Sequence, residues 1–163
     1  MSSQVLTTQQ VLGAPNLPDG AWVRFLRAHA ALTRELSARL EALHELTLSD
    51  FDVLIQLYHA EGRRLRRIDL ARSVLLTASG ITRLLDGLES DGLVAKERCE
   101  SDARVTYAVL TKAGVKKLEE ARESHLADIE ELFGSRFSRQ EREHLAELLG
   151  RLPLAHTSEA CSE

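Results

Sequence analysis

The sequence predicts a mainly α-helical fold that carries one small β-hairpin. Leucine and alanine dominate, whereas aromatic residues make up only 4% of the chain, and this composition favours helices packed on helices. Apolar residues recur at three- and four-residue steps along most of the chain, as in amphipathic helices. A two-residue alternation is found near residues 93–110, which we therefore assign to two strands.

The charge of the chain is distributed unevenly, and its formal net value of −4 conceals this. Between residues 63 and 83 the sequence has six arginines and one acidic residue, Asp69. Acidic residues are concentrated instead between residues 119 and 131. The local basic segment favours nucleic acid as the partner. Its arginines are Arg63, Arg64, Arg66, Arg67, Arg72 and Arg83.

The length and the chain ends bound the domain organisation. With 163 residues, 44% of them hydrophobic, the chain suits one folded domain, which we place at about 19–152. Residues 1–18 are expected to form a flexible arm and residues 153–163 a disordered tail. No signal peptide is recognisable, and no apolar run approaches the roughly 20 residues that span a bilayer. We therefore expect a cytoplasmic protein without membrane contact.

The first predicted helix covers residues from about 19 to 45, with Asp19 as its N-cap. Its apolar residues form one stripe, which suits burial against another helix of the same chain or of a second chain. The stripe consists of Trp22, Phe25, Leu26, Leu32, Leu36, Leu40 and Leu43.

Two shorter helices follow. A capping box at Ser49 and Asp52 is expected to open the second helix, which continues to about Ala60 and is ended by Gly62. The third helix is expected from about Arg67 to Val74. The residues expected to point inward from it are Ile68, Leu70 and Ala71.

A fourth helix begins after a turn formed by Leu75 and Leu76, with Thr77 as its expected N-cap and Gly92 at its end. Its periodicity separates an apolar stripe from an exposed side. The apolar stripe consists of Ile81, Leu84, Leu85 and Leu88. The exposed side carries Ala78, Ser79, Thr82 and Arg83.

The hairpin and two further helices complete the chain. The predicted strands are Leu93–Arg98 and Val105–Leu110, and in the second strand Val105, Tyr107 and Val109 alternate with Thr106 and Ala108. Thr111 caps a fifth helix, which Gly134 ends and whose stripe is Val115, Leu118, Ala121, Leu126, Ile129, Leu132 and Phe133. A capping box at Ser138 and Glu141 opens a sixth helix, which Pro153 ends.

Two helices joined by a tight turn and followed by a hairpin have the layout of a winged helix-turn-helix, here over about residues 48–111. This layout suits the reading of double-stranded DNA. The outer helices, about 19–45 and 112–152, carry more apolar surface than a three-helix head can cover. A symmetric homodimer would bury that surface and would place two heads about one DNA turn, roughly 34 Å, apart.

The fourth helix is the predicted reading element. Ser79 and Thr82 offer hydroxyls, and Arg83 offers a forked donor, to base edges in the major groove. Arg66 and Arg67, at the expected start of the third helix, suit contacts to phosphates.

The hairpin supplies a second group of contacts. Arg104 near its tip suits a narrow minor groove, with Asp102 holding that arginine in place. Lys96 and Arg98 would hold the hairpin on the DNA backbone. The complete set of predicted DNA-binding residues is Arg66, Arg67, Thr77, Ser79, Thr82, Arg83, Lys96, Arg98, Asp102 and Arg104.

Several segments are similar to the MarR family of bacterial regulators. Leu70-Ala71, residues 79–84 (SGITRL) and residues 88–94 (LESDGLV) resemble the region of its recognition helix. Residues 102–104 (DAR) and 110–114 (LTKAG) resemble its wing and the exit from it. The similarity covers about residues 20–152. Two positions depart from the usual pattern, because Lys96 and Ala103 stand where many members carry arginine.

The resemblance implies a triangular homodimer in which the first, fifth and sixth helices form the interface and two heads straddle a palindrome. It also implies a transcription factor, usually a repressor, that a small phenolic or otherwise aromatic ligand releases by binding between head and interface. The candidate ligand-binding residues are Trp22, Phe25, His29 and His59. Trp22 is also interpreted as part of the dimer core, because Arg63 and Arg64 occupy the place of the acid that accompanies this tryptophan in urate-responsive members.

Two other functions are compatible with parts of the sequence. A winged-helix protein-interaction module is an alternative that the acidic net charge permits, and a redox-responsive regulator acting through Cys99 is another. Two cysteines far apart form no disulfide framework, and six histidines without four-residue spacing predict no metal site. The sequence contains neither a phosphate-binding glycine loop nor a Ser/His/Asp arrangement, so we predict neither an enzyme nor a cofactor. The ligand, the target genes and the sign of regulation are left open.

Overall fold

The computed structural model describes residues 20–73, 78–99 and 105–152. Within them the helices are α1 (Ala21–His44), α2 (Leu48–His59), α3 (Arg67–Ser73), α4 (Ala78–Ser90), α5 (Lys112–Leu132) and α6 (Arg139–Leu149). The strands are β1 (Arg64–Arg66), β2 (Val94–Arg98) and β3 (Thr106–Leu110), and 3-10 turns cover Glu61–Arg63 and Gly134–Arg136. The predicted mainly α fold with a small sheet is confirmed.

The chain divides into two compact units, which meet in sequence between Glu35 and Leu36 within α1. The first unit consists of the N-terminal half of α1 among the described residues. The second unit contains the rest of α1 and all other described elements. The predicted N-cap Asp19, the turn residues Leu75 and Leu76, and Pro153 lie outside the described residues.

The sheet has three antiparallel strands in the order β1-β3-β2, whereas the sequence predicted a hairpin of two. β2 pairs with β3 as expected, with Lys96 opposite Ala108. On the other side of β3, β1 places Leu65 opposite Ala108 and Arg66 opposite Tyr107. β1 is only three residues long, so it has no recognisable alternation, and its pairing with β3 defines it as a strand.

One hydrophobic core fills the second unit, between α2, α3, α4, the sheet and α5. Its most deeply buried side chains come from all of these helices, and α1 contributes Leu40. The expected stripe of α4 is confirmed, because Ile81, Leu85 and Leu88 are buried and Leu84 is half-buried. The core residues that are at most 2% exposed are Leu40, Leu46, Val53, Leu54, Leu57, Leu70, Leu85, Leu88, Val94, Ala108, Leu118 and Ala121.

The start of α2 differs from the prediction by two residues. The capping box is formed by Thr47 and Asp50, with the Thr47 hydroxyl 3.1 Å from the amide of Asp50 and the Asp50 carboxylate 2.9 Å from the amide of Thr47. The predicted box at Ser49 and Asp52 is therefore wrong. Asp52 is half-buried instead, and burial raises the pKa of its carboxyl group.

α3 corrects two further expectations. Ile68 was expected to point inward, but 61% of it is exposed, because Leu70 occupies the buried side of this seven-residue helix. Arg66 was placed at the start of this helix but is the last residue of β1.

In β3 the buried side is formed by Ala108 and Leu110, while Tyr107 and Val109 are half-buried, as is Val105 just before the strand. The last two helices begin as predicted. Thr111 caps α5 by accepting from the amide of Gly114, and Ser138 and Glu141 form the capping box of α6. α6 ends at Leu149, before the predicted Pro153. In the α5 stripe, Leu118 and Ala121 are buried, but Leu126 is exposed.

Polar contacts hold the C-terminal part of α1 on α5 within the second unit. The Arg39 guanidinium lies 2.7 Å from Asp128 and 3.0 Å from Glu131. Its hydrogen bond lowers the pKa of the Glu131 carboxyl group. One turn further along α1, the His44 Nε2 lies 2.7 Å from the Ser124 hydroxyl. These contacts therefore fix the C-terminal part of α1 against α5.

Candidate nucleic-acid interface

The exposed side of α4 follows directly from its buried side. Ile81 and Leu85 face the core, and Thr82 and Arg83, which follow Ile81 by one and two positions, are exposed. Gly80 is half-buried. The helix therefore presents a hydroxyl and a guanidinium on the side predicted to face DNA.

A contact between α3 and α4 fixes the two helices relative to each other. The Arg67 guanidinium lies 3.5 Å from the Asp86 carboxylate of α4, and only 19% of the Arg67 side chain is exposed. Arg67 was predicted as a phosphate ligand, but in this structure its guanidinium contacts Asp86. Arg66, by contrast, is exposed at the end of β1.

The second strand carries the basic residues of the wing. Lys96 and Arg98 lie two positions apart in β2, so their side chains share one face of the sheet, and both residues are exposed. This is the face on which Val94, in the same strand, is buried. Beyond β2, the amide of Cys99 donates to the carbonyl oxygen of Val105 at 3.0 Å, which extends the hairpin toward its tip.

A network of hydrogen bonds joins the base of the wing to α5. The Thr111 hydroxyl lies 2.7 Å from the carbonyl oxygen of Gly92 and 3.0 Å from that of Leu93, to which it can donate its single proton. It also accepts from the amide of Gly114. A Cβ at Gly114 would overlap the Leu93 carbonyl oxygen, and Gly92 has a φ of 71°, so both glycines are required here. This explains why the segment LTKAG follows the wing.

Four of the predicted contact residues cannot be placed. Thr77, Asp102 and Arg104 lie outside the described residues, and the side chain of Ser79 is likewise not described. Their roles remain predictions. Among the described residues, the structure brings Thr82, Arg83, Lys96, Arg98 and Arg66 to the surface of the head.

Comparisons with known proteins identify this head. Residues 46–106 match the sequence model of the MarR family. The chain is 31% identical over 128 residues to the HTH-type transcriptional regulator MhqR of Bacillus subtilis, covering 78% of this chain and 86% of MhqR. The chain belongs to the MarR family.

Solved structures agree. AbsC, a MarR family transcriptional regulator from Streptomyces coelicolor, is similar with a TM-score of 0.74 and 28% identity, over 90% of this chain and 93% of AbsC. Sco3205, another MarR family regulator from that organism, solved in complex with DNA, has the same fold with a TM-score of 0.76 and 24% identity, over 91% of this chain and 88% of Sco3205. This MarR-family protein is therefore a DNA-binding transcriptional regulator and not an enzyme.

The second unit also contains a cleft between α2 and α5, with a volume of about 290 Å³. His125 borders it and is only 6% exposed, with its ring centroid 4.6 Å from that of Phe51. Its Nδ1 has no hydrogen-bond partner among the described residues, and burial lowers the pKa of its imidazole, although Asp128 opposes the shift. The cleft is lined by Phe51, Ile55, His59, Leu118, Arg122 and His125, among others.

Of the four predicted ligand-binding residues, the structure brings three into contact. In the first unit the ring centroids of Trp22 and Phe25 lie 6.4 Å apart, as do those of Phe25 and His29. His59 lies in the second unit, where it borders the cleft. Sequence reasoning missed His125 and Arg122, because about 70 residues separate them from Phe51 and no local pattern joins the two segments.

The remaining predictions concern Cys99, metals and membranes. Cys99 is a half-buried cysteine of the hairpin, and its redox role stays a prediction. Among residues 20–73, 78–99 and 105–152, no cluster of His, Cys, Asp or Glu could hold a metal ion. Nor is any helix in these ranges both long enough and apolar enough to cross a bilayer.

Proposed function

We propose that this MarR-family regulator is a cytoplasmic homodimeric repressor of a pseudo-palindromic operator, released by a small aromatic or phenolic molecule. The observation that carries the DNA-reading part is the exposed pair Thr82 and Arg83, held on α4 by the buried residues of the opposite side. Lys96 and Arg98 flank that pair with positive charge on the wing. The DNA complex of Sco3205, which has this fold, supports the same use of the head.

The proposed roles divide by element. Ser79, Thr82 and Arg83 read base edges, with Thr77 at the start of α4 as an additional contact. Lys96 and Arg98 bind the backbone, and Arg104, braced by Asp102, enters the minor groove. Arg67 fastens α3 to α4 through Asp86 and thereby positions the reading helix, in addition to its predicted phosphate contact.

Dimerisation is supported by apolar side chains that a single chain leaves exposed. On the first unit these are Trp22, Phe25 and Leu26, and on the second unit they are Leu43, Leu126, Phe137, Leu148 and Leu152. All but Phe137 and Leu152 lie on α1, α5 and α6. Large exposed apolar side chains gathered on a few elements mark interaction surfaces, and a symmetric pair of chains would bury them.

The cleft between α2 and α5 supports the ligand response. Its volume suits a small molecule, its walls include Phe51 and Leu118, and His125 offers a polar atom without a partner among the described residues. An aromatic ring with a hydroxyl or carboxyl group matches these features. We place His59 at this site, and Trp22, Phe25 and His29 remain proposed contacts of the first unit.

Repression is the simplest outcome of this arrangement. A dimer that occupies an operator excludes other proteins from that DNA, whereas activation requires an additional surface for the transcription machinery. A ligand that binds the apo conformation better than the DNA-bound one would lower the population of bound dimer.

Fluorescence anisotropy with the DNA upstream of the gene tests the proposal. Wild-type protein should bind that DNA at least about 1000-fold more tightly than a random duplex. Arg83→Ala should weaken specific binding by about tenfold to 100-fold, as expected for loss of a base contact. Arg139→Ala is the matched control, because it removes an exposed arginine of α6 and should leave the affinity unchanged.

Two outcomes would contradict the proposal. Equal affinity for upstream and random DNA would exclude sequence-specific regulation, and an unchanged affinity of Arg83→Ala would remove α4 as the reading element. Titration of the complex with simple phenols and aromatic carboxylates tests the ligand response, and failure of all of them to release DNA would argue against an aromatic effector.

A further inference from the structure

Arg64 of β1 contacts side chains of both other strands of the sheet. Its guanidinium carbon lies 4.9 Å from the ring centroid of Tyr107 in the middle strand β3. Its Nη1 lies 3.0 Å from the carboxylate of Glu97 in the far strand β2. A planar guanidinium suits both contacts, because it stacks on an aromatic face and also donates to a carboxylate. One side chain therefore joins all three strands.

The ion pair between Arg64 and Glu97 connects the two outer strands directly. In the order β1-β3-β2, the backbones of β1 and β2 each pair with β3. Neighbouring strands are twisted against each other by roughly 10 to 35°, so pairing with a common neighbour leaves the angle between two outer strands variable. A side chain that spans β3 and pairs with Glu97 restricts this angle.

The two outer strands belong to different parts of the proposed DNA surface. β1 is followed directly by α3, where the guanidinium of Arg67 lies 3.5 Å from Asp86 of the reading helix α4. β2 carries Lys96 and Arg98 on either side of Glu97. Neighbouring residues of a strand project to opposite faces, so Glu97 lies on the face away from these two basic residues. The ion pair therefore connects the strand beside the reading helix with the strand that carries the basic wing residues.

We infer that Arg64 is a positioning residue for DNA binding, which holds the wing at a fixed angle to the reading helix α4 through its contacts with Tyr107 and Glu97. This inference rests on the proposed function, in which α4 reads bases while Lys96 and Arg98 bind the backbone. Two contact elements that are fixed to each other lose less freedom on binding DNA than two elements that move independently. Arg64 thus raises DNA affinity without touching DNA.

The acidic partner provides the sharpest test. Glu97→Gln removes a negative charge from the wing, and this change by itself should strengthen binding to a polyanion. A positioning role requires the opposite result, because the substitution also breaks the ion pair with Arg64. Fluorescence anisotropy with a labelled duplex of the DNA upstream of the gene measures the affinity at several salt concentrations. The proteins compared are wild type, Arg64→Gln, Glu97→Gln and the double variant.

We expect Arg64→Gln and Glu97→Gln each to weaken binding about two- to fivefold, the range of one partly exposed ion pair. The double variant should be no weaker than the weaker single variant, because either substitution breaks the same contact. Arg139→Gln and Glu143→Gln are the matched controls, since they break an exposed ion pair of α6 and should leave the affinity unchanged. Thermal unfolding should show that every variant is folded at the temperature of the binding assay.

A second set of variants separates positioning of the wing from general stability of the sheet. Replacing both Lys96 and Arg98 by alanine removes the proposed backbone contacts of β2 and should weaken binding. In this background Arg64→Gln should cause no further loss, because the angle of a wing that no longer binds does not affect the affinity. A general effect on the sheet would instead lower the affinity in both backgrounds.

Tighter or unchanged binding by Glu97→Gln would overturn the inference, because Glu97 would then act only through its charge. An unchanged affinity of Arg64→Gln, additive losses in the double variant, or an equal loss with and without the basic wing residues would overturn it as well. These outcomes leave the proposed function standing if removal of Lys96 and Arg98 weakens binding. If that removal changes nothing, both the proposed role of the wing and the inference fail.

Discussion

The winged head and the outer helix α6 differ in how completely a single chain buries them. α2 buries Phe51, Val53, Leu54 and Leu57, whereas α6 has no buried residue. Within the head, α2, α3 and α4 each contribute buried residues to one core, although Ile68 of α3 is exposed. At α6 and the exposed side of α5, apolar side chains such as Leu126 and Leu148 are left exposed. This contrast is the reason for proposing that a second chain covers the outer helices, whereas the core of the head is filled by its own chain.

The two regions also differ in how many of their basic residues form ion pairs. Around α5 and α6 the arginines pair with carboxylates, as Arg39 does with Asp128, Arg142 with Glu130 and Arg139 with Glu143. The head also contains ion pairs, between Arg64 and Glu97 and between Arg67 and Asp86. Its Arg83, Lys96 and Arg98, however, form no ion pair with any described residue. Internally paired charges satisfy one another, whereas unpaired cations on one surface attract a polyanion.

The largest expected effect tests the completeness of the head. Leu85→Ala removes a fully buried side chain of α4 and should lower the free energy of unfolding by about 2–5 kcal/mol, because a cavity is left in the core. Urea denaturation followed by circular dichroism measures this. Ile68→Ala, at an exposed position of the head, should stay within about 0.5 kcal/mol of wild type. Equal losses in both variants would mean that the core is not where the structure places it.

The second prediction tests the incompleteness of the outer helices. Leu43 is the most exposed of the large apolar residues at 67%, and Leu43→Glu would place an unpaired charge in the proposed interface. We expect the dimer dissociation constant to rise at least about tenfold, measured by sedimentation velocity. Ala42→Glu adds the same charge at the neighbouring exposed position and should change it less. An unaffected dimer in Leu43→Glu would remove this side of α1 from the interface.

The smallest expected effect concerns pH and the cleft between the two regions. Burial lowers the pKa of His125 below the value of about 6.5 expected in the unfolded chain. At a pH below about 6.5, the unfolded chain binds a proton at this histidine more readily than the native protein does. The contribution to stability is therefore fully present above that pH and is lost as the pH falls through the lower pKa of the folded state. His125→Leu should flatten this loss in urea titrations between about pH 7.5 and 5.5.

His144→Leu is the matched control for this prediction, because His144 is exposed on α6. It should keep the pH dependence of the wild-type protein. If His125→Leu retained the full loss of stability at low pH, another group would be responsible for it.

Sequence patterns predicted those elements whose local signals were unambiguous. The capping box of α6 and the Thr111 cap of α5 stand where they were expected. At α2 the sequence offered two overlapping boxes, Thr47 with Asp50 and Ser49 with Asp52. Both boxes also have apolar residues at the flanking staple positions. The local sequence does not distinguish the two boxes. The box that forms, Thr47 with Asp50, is the one flanked by Leu46 and Phe51, which are both buried.

The candidate site likewise has features that local sequence patterns predict and features that they do not. Thr82, Arg83, Lys96 and Arg98 were found from helical and strand periodicity, and they are exposed as expected. The contact between Arg67 and Asp86 was not foreseen, because nothing in a sequence marks two residues 19 positions apart as partners. The cleft beside His125 was missed for the same reason, since its walls come from α2 and α5.

By itself, the sequence determined the order of helices and wing, the apolar stripe of α4, the caps of α5 and α6, and the basic character of the head. These properties depend on residues within a few positions of one another, where periodicity and capping act. Only the tertiary structure decided that β1 is a strand, that Ile68 faces outward, and that Arg64 contacts Tyr107 and Glu97. Each of these depends on pairing or burial between distant segments, which local pattern does not encode.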